Sequence, residues 1–147
     1  MTDPVAHEAY ERIRREHEEL RELLASVHRT LTKRLETVAG VSQMFASLCN
    51  QIETHFGEEE TAGFFDDIVA QAPRLSQQTE HVCDEHGCLL ETVRKLANQA
   101  NDGDGSNDWW QRLESEFREF SKQLMQHESK ENDLLFQAYY DDIGSPD

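Results

Sequence analysis

An all-α protein, folded as an antiparallel up-down-up-down four-helix bundle, is what this sequence predicts, on three observations. Helix breakers are scarce, with three prolines and seven glycines in 147 residues. Helix-stop and turn residues punctuate the chain at Ala39-Gly40, at Gln71-Ala72-Pro73, and in the run from Asn101 to Asp108. Between these places apolar residues recur in steps of three and four, the spacing of one helix face. Four amphipathic helices with short connections bury their stripes best as a bundle, and residues 1–147 suit a single domain with one core.

The first helix is expected near 4–38, with Asp3-Pro4 as N-cap and first-turn proline and the stripe Tyr10, Ile13, His17, Leu20, Leu24, Val27, Leu31. The second, near 41–70, carries Val41, Phe45, Leu48, Ile52, His55, Glu59 and Ala62. The third, near 75–100, carries Leu75, Thr79, Val82, His86, Leu89, Val93, Leu96 and Ala100. The fourth, near 108–141, carries Leu113, Phe117, Phe120, Leu124, His127, Glu131, Leu134 and Ala138. Asp108 followed by Gln111 resembles a capping box at its start.

Composition removes several classes of function. Thirty acidic residues against 14 lysines and arginines give a formal charge of −16, a surface that repels phosphate backbones and anionic lipid, so neither nucleic acid nor membrane is an expected partner. No apolar run reaches the roughly 18 residues of a membrane span, and Met1 to Tyr10 lacks the apolar core of a signal peptide. Three cysteines at irregular spacing form no disulfide framework. A cytoplasmic setting is the expectation.

The stripes contain something that helix formation does not explain. Their only histidines are His17, His55, His86 and His127, one per helix, and their only carboxylates are Glu59 and Glu131. Each glutamate follows a histidine by four residues, one turn along the same face. Stripes fill roughly two-sevenths of helical positions, so about two of the seven histidines would fall there by accident. A buried imidazole or carboxylate without a partner costs several kcal/mol, and the stripes hold no lysine or arginine to pair with. A bound cation would remove that cost.

Heights agree at about 1.5 Å per residue. From His17 to the first turn is about 33 Å and back to Glu59 about 30 Å; from Glu59 to the second turn is about 18 Å and on to His86 about 15 Å. The last hairpin matches less closely, roughly 21 Å against 28 Å, with a glycine-rich loop to absorb the difference. The chain also repeats itself. Glu16-His17 and Leu20 recur as Glu85-His86 and Leu89; His55, Glu59-Glu60 and Phe64-Phe65 recur as His127, Glu131-Asn132 and Leu135-Phe136. Two such halves suit two metals bridged by the glutamates, and imidazole with carboxylate suits iron or manganese, with zinc possible.

At these residues the sequence resembles the hemerythrin-like, histidine-histidine-glutamate cation-binding family, from Glu16-His17 to His127-xxx-Glu131. The resemblance implies a four-helix bundle around a non-haem di-iron centre, two iron ions that bind dioxygen or nitric oxide. By position its metal ligands are His17, His55, Glu59, His86, His127 and Glu131. Oxygen carriers of the family pair two histidines four apart in the third helix and end in histidine followed five residues later by aspartate; here Val82 and Asn132 occupy those places. The chain resembles instead the branch with four histidines and two glutamates, whose smaller ligand set leaves more positions to water or a small ligand. Ferritin-like bundles require glutamate three residues before histidine, where this chain has Arg14, Ile52, Cys83 and Leu124.

Two functions follow as expectations. One is a metal and small-ligand binding protein that takes dioxygen or nitric oxide, or senses or buffers iron. The other is a di-iron redox enzyme, oxidase-like or peroxidase-like or acting in iron-sulfur centre repair. Family members linked to repair carry a cysteine-bearing region before the bundle, and the sixteen or so residues before His17 contain no cysteine, which favours the first.

Other residues have plainer expected roles. His7, His28 and His81 fall off the site and are expected at the surface. Cys83, a turn before His86, is expected as a packed thiol, with no disulfide to Cys88. Asp102-x-Asp104-x-Ser106 resembles the start of a calcium loop, but Asn107 replaces the required glycine and Leu113 the bidentate glutamate, so a solvated linker is expected. Trp109-Trp110 should seal the bundle end, and Tyr10 and Tyr139 should pack.

Overall fold

The computed structural model describes residues 4–141, so the predicted Asp3 cap and the His7 side chain lie outside the described residues. Its elements are α1 (Pro4–Lys33), α2 (Val38–Thr61), α3 (Phe64–Gln71), a 3-10 turn (Pro73–Leu75), α4 (Ser76–Asn101), α5 (Asn107–Phe136) and a π-helical turn (Gln137–Asp141). No strand occurs among the described residues.

The four stripes form the interior, but not one continuous core. One apolar cluster joins Leu20–Leu31 of α1, Val41–Phe56 of α2, Leu89–Ala100 of α4 and Trp110–Leu124 of α5. A second joins Tyr10 and Ile13 to Phe64, Phe65, Ile68, Leu75, Val82 and Leu134–Tyr139. The chain thus runs from the second cluster to the first and back, twice, as an up-down-up-down bundle must. The residues between the clusters on every long helix are the six polar stripe positions. A polar layer divides the core.

Helix boundaries differ from the sequence expectation at five places. The first helix stops at Lys33, because Arg34 takes a left-handed conformation (φ 51°) and the Leu35 amide bonds back to the Thr30 carbonyl, a Schellman-type end without glycine. Gly40 therefore lies inside α2, whose N-cap is Thr37; its hydroxyl accepts from the Gly40 amide at 3.0 Å. The second predicted helix is two: Gly63 (φ 83°) breaks it, and α3 turns Phe64, Phe65 and Ile68 into the second cluster. Ala62, on the predicted stripe, is consequently exposed. The cap of α5 is Ser106, not Asp108, and α5 ends at Phe136 where the π turn begins.

The Asp102–Ser106 segment is a linker in which Asp104 accepts from the Ser106 amide at 2.9 Å. Trp109 folds back over α4, its indole N–H donating to the Gln99 carbonyl at 3.0 Å, and Trp110 is buried in the first cluster. Both close that end as expected. Tyr10 and Tyr139 are buried in the second cluster.

Candidate metal centre

All six predicted site residues meet in the polar layer, and all are buried. Each is delivered by a long helix with its apolar neighbours on the same face, so the helices must bury the polar group to bury the stripe. His17 Nε2 lies 3.1 Å from Glu131 Oε1 and 3.6 Å from Glu59 Oε2. His55 Nε2 is 3.6 Å from Glu59 Oε2, and His127 Nε2 is 3.3 Å from Glu131 Oε2. His86 Nε2 is 3.3 Å from Glu59 Oε1 and 3.4 Å from Glu131 Oε2.

These atoms resolve into two clusters of potential ligands: His17, His55, Glu59 and Glu131, then Glu59, His86, His127 and Glu131, within each of which donor atoms lie within 4.8 Å of one another. Both glutamates belong to both clusters. Two donors at about 2.1 Å from one ion stand roughly 3.0 to 3.4 Å apart at octahedral or tetrahedral angles; the distances to Glu131 and from His86 fall in that range, and those from His17 and His55 to Glu59 are slightly longer at 3.6 Å. The same atoms serve poorly as hydrogen-bond partners for each other. His17 Nε2, His55 Nε2, His127 Nε2, both Glu59 oxygens and Glu131 Oε1 are buried without an aligned bond. A donor set that is close, anionic and mutually misaligned fits a cation.

The electrostatics agree. Burial works against a charge on His17 and His86, yet the Glu131 and Glu59 carboxylates outweigh it and raise both imidazoles to about 10. Burial likewise opposes charge on His127, and Glu131 again raises it. Burial would also keep Glu131 protonated, but the close imidazoles of His127, His17 and His86 hold it well below the usual carboxylate range. Without a metal, protons must occupy the place of the cation.

The outer nitrogens are held as well. His55 Nδ1 donates to Glu16 at 3.1 Å and His127 Nδ1 to Glu85 at 2.9 Å. His86 Nδ1 donates to Glu60 at 3.1 Å and His17 Nδ1 to Asn132 at 2.8 Å. Such bonds fix the tautomer with Nε2 free to ligate. They obey the internal repeat: the residue before the first histidine of each half holds the second, and the residue after each glutamate holds the other half's first histidine. The imidazole pairs match too, His17 with His55 at 5.1 Å and 75°, His86 with His127 at 4.9 Å and 63°.

These four outer partners were missed by reading stripes, because they occupy flanking helix positions; the signal was present in the repeated Glu16-His17 and Glu85-His86. Glu128 was missed too. It is fully buried, neither carboxylate oxygen has a partner, and burial raises it to about 7. His28 and His81 are exposed, as expected. Cys83 packs at the edge of the second cluster, where burial and Glu60 push its thiol up to about 11. With Glu60 and His86 it forms a third, more exposed group of potential ligand atoms. The described cysteines are free.

A helical bundle with paired histidine-glutamate clusters in its middle is a class of cation-binding domain. Residues 8–140 match the Hemerythrin HHE cation binding domain family, and the chain belongs to it. It is similar to two curated proteins named iron-sulfur cluster repair protein YtfE. The one from Pectobacterium atrosepticum is 29% identical over 128 residues, covering 83% of this chain and 58% of that protein. The one from Pectobacterium carotovorum subsp. carotovorum is 28% identical with the same coverage. The chain therefore spans a little over half the length of these relatives. No solved structure matches it significantly. No helix among the described residues is long and apolar enough to cross a membrane.

Proposed function

We propose that this domain holds two iron ions between His17, His55, His86, His127 and the bridging Glu59 and Glu131, and uses them to bind dioxygen or nitric oxide. The observation that carries this is the sharing of both glutamates by the two clusters. Bound iron would supply redox-active centres with positions left for a small ligand. The chain's own residues orient four imidazoles, exclude water between two apolar clusters and keep Nε2 available. A cavity of about 30 Å³, whose lining mixes Tyr10, Phe64 and Tyr139 with Arg12, Glu58 and Glu59, adjoins the centre. A space of this volume admits one or two water-sized molecules, enough for a diatomic gas.

The names of the two relatives support a second reading, that the domain works in iron-sulfur centre repair. Iron analysis of protein loaded under anaerobic conditions tests the first reading. About two irons per chain, with an absorption change that appears on adding nitric oxide or dioxygen to the reduced protein and reverses on removing it, is expected. Retention of less than one ion per chain would overturn it, and net consumption of the gas with turnover would move the assignment to a redox enzyme.

A further inference from the structure

Two hollows reach ligands of the centre, and they share part of their walls. A groove of about 530 Å³ runs between α1 and α2, with Glu16, Glu19 and Leu20 on one side and Thr54, His55 and Glu58 on the other. The cavity of about 30 Å³ beside the centre is also lined by Glu16 and Glu58, and it reaches Glu59. Glu16 and Glu58 therefore stand where groove and cavity meet. Glu16 is 28% exposed and its carboxylate lies 3.1 Å from His55 Nδ1, so it touches both the groove and a ligand. The grooves beside Lys130 and beside Arg118 are lined by none of the six predicted ligands.

Exposed carboxylates are common on a chain with a formal charge of −16. These are set apart by the group behind them: Glu59 is 1% exposed, lines the cavity, and has no hydrogen-bond partner on either oxygen. A buried carboxylate left uncompensated draws in a cation that can reach it. The groove wall contributes three carboxylates and no lysine or arginine; the cavity lining adds Asp67 and one cation, Arg12. Size divides the passage into two stages. A divalent ion with six waters of about 30 Å³ each needs roughly 180 Å³, which the groove holds and the cavity does not. The ion must shed water where Glu16 and Glu58 stand, and carboxylate oxygens there replace what it loses. We propose that hydrated divalent cations enter by the α1–α2 groove, are drawn in by Glu19 and Glu58, and pass between Glu16 and Glu58 to Glu59. This rests on the metal-binding reading above and adds to it the route by which the centre is loaded.

Stopped-flow uptake of Co²⁺ by the metal-free chain, read in the visible cobalt bands at low and high salt, tests the route. Three proteins are compared: the parent, Glu19→Gln/Glu58→Gln, and Glu80→Gln/Asp133→Asn, which changes the net charge equally but beside the Lys130 groove. All four side chains are exposed, and thermal unfolding of the metal-free proteins checks that each variant folds. The groove variant is expected to load at least about fivefold more slowly at low salt, with the difference shrinking at high salt. Its release rate should fall in step, so that equilibrium affinity stays within about twofold of the parent, and the control should load at the parent rate. Equal loading rates in all three proteins, or equal slowing in both variants, would overturn the route while leaving the metal centre intact. So would a loss of affinity that matches the loss of rate with release unchanged, because the two carboxylates would then act on the bound ion and not on its passage. A parent chain that takes up neither cobalt nor iron would overturn the metal-binding reading itself.

Discussion

Glu85 accepts the Nδ1 proton of His127 at 2.9 Å on one oxygen, and the Lys130 ammonium lies 2.6 Å from the other. Burial opposes the charge of Glu85, but Lys130 and His127 outweigh it and lower its pKa. The carboxylate is therefore ionised when it holds the imidazole. Glu85→Gln should lower metal affinity about 10- to 100-fold, the usual effect of losing an outer partner. Lys130→Met should cost less than about tenfold, since the ammonium is half exposed and such pairs are weak. Metal competition titrations check both.

Glu131 lies near three imidazoles, which makes it the pivot of the layer. Glu131→Gln keeps the volume and removes the charge. Bound metal should fall below two ions per chain, and in the metal-free variant His17 and His86 should titrate well below about 10. Metal analysis and NMR titration of the imidazoles measure these. Retention of both ions would remove Glu131 as a bridge.

Metal-free stability and metal affinity should depend on pH in opposite directions. His17 and His86 are raised from 6.5 to about 10, so their contribution to folding is complete below 6.5 and is lost as pH rises through about 10. Glu128, raised from 4.5 to about 7, acts in the same direction at lower pH. The metal-free protein should accordingly melt at progressively lower temperature from neutral to alkaline pH. Metal must displace the Nε2 protons, so its affinity grows as pH rises and the gap between loaded and metal-free melting temperatures widens. Thermal unfolding with and without metal reads both trends.

Gly63 makes the break between α2 and α3 at φ 83°, and a Cβ there would meet nothing within 4 Å. The cost of Gly63→Ala is thus conformational alone, about 1–2 kcal/mol. Denaturant unfolding should show that loss. The break also places Phe65 5.5 Å from the His86 ring, so the alanine variant should shift the His86 ring resonances.

Periodicity made the six central residues legible. A residue at step three or four of an apolar stripe must enter the interior whatever its chemistry, and four histidines with two glutamates at matching heights leave a cation as the compensation. The outer partners were harder to see. Glu16, Glu60, Glu85 and Asn132 are polar residues on flanking faces of an acidic chain, and only the rotation of one helix against its neighbour selects them from the other carboxylates. Glu128 was invisible for the opposite reason: it lies off the α5 stripe, and its burial comes from the helices packed around it.

What the chain determined alone was local: four apolar stripes, the polar steps within them, and an internal repeat pairing the two hairpins. These need only helical geometry and the cost of exposing hydrocarbon. Tertiary structure decided where the breaks fall at Arg34 and Gly63, which polar group holds which imidazole, and that Glu128 is buried. Those outcomes depend on the angle at which each helix meets its neighbours, and no spacing within one helix encodes that angle.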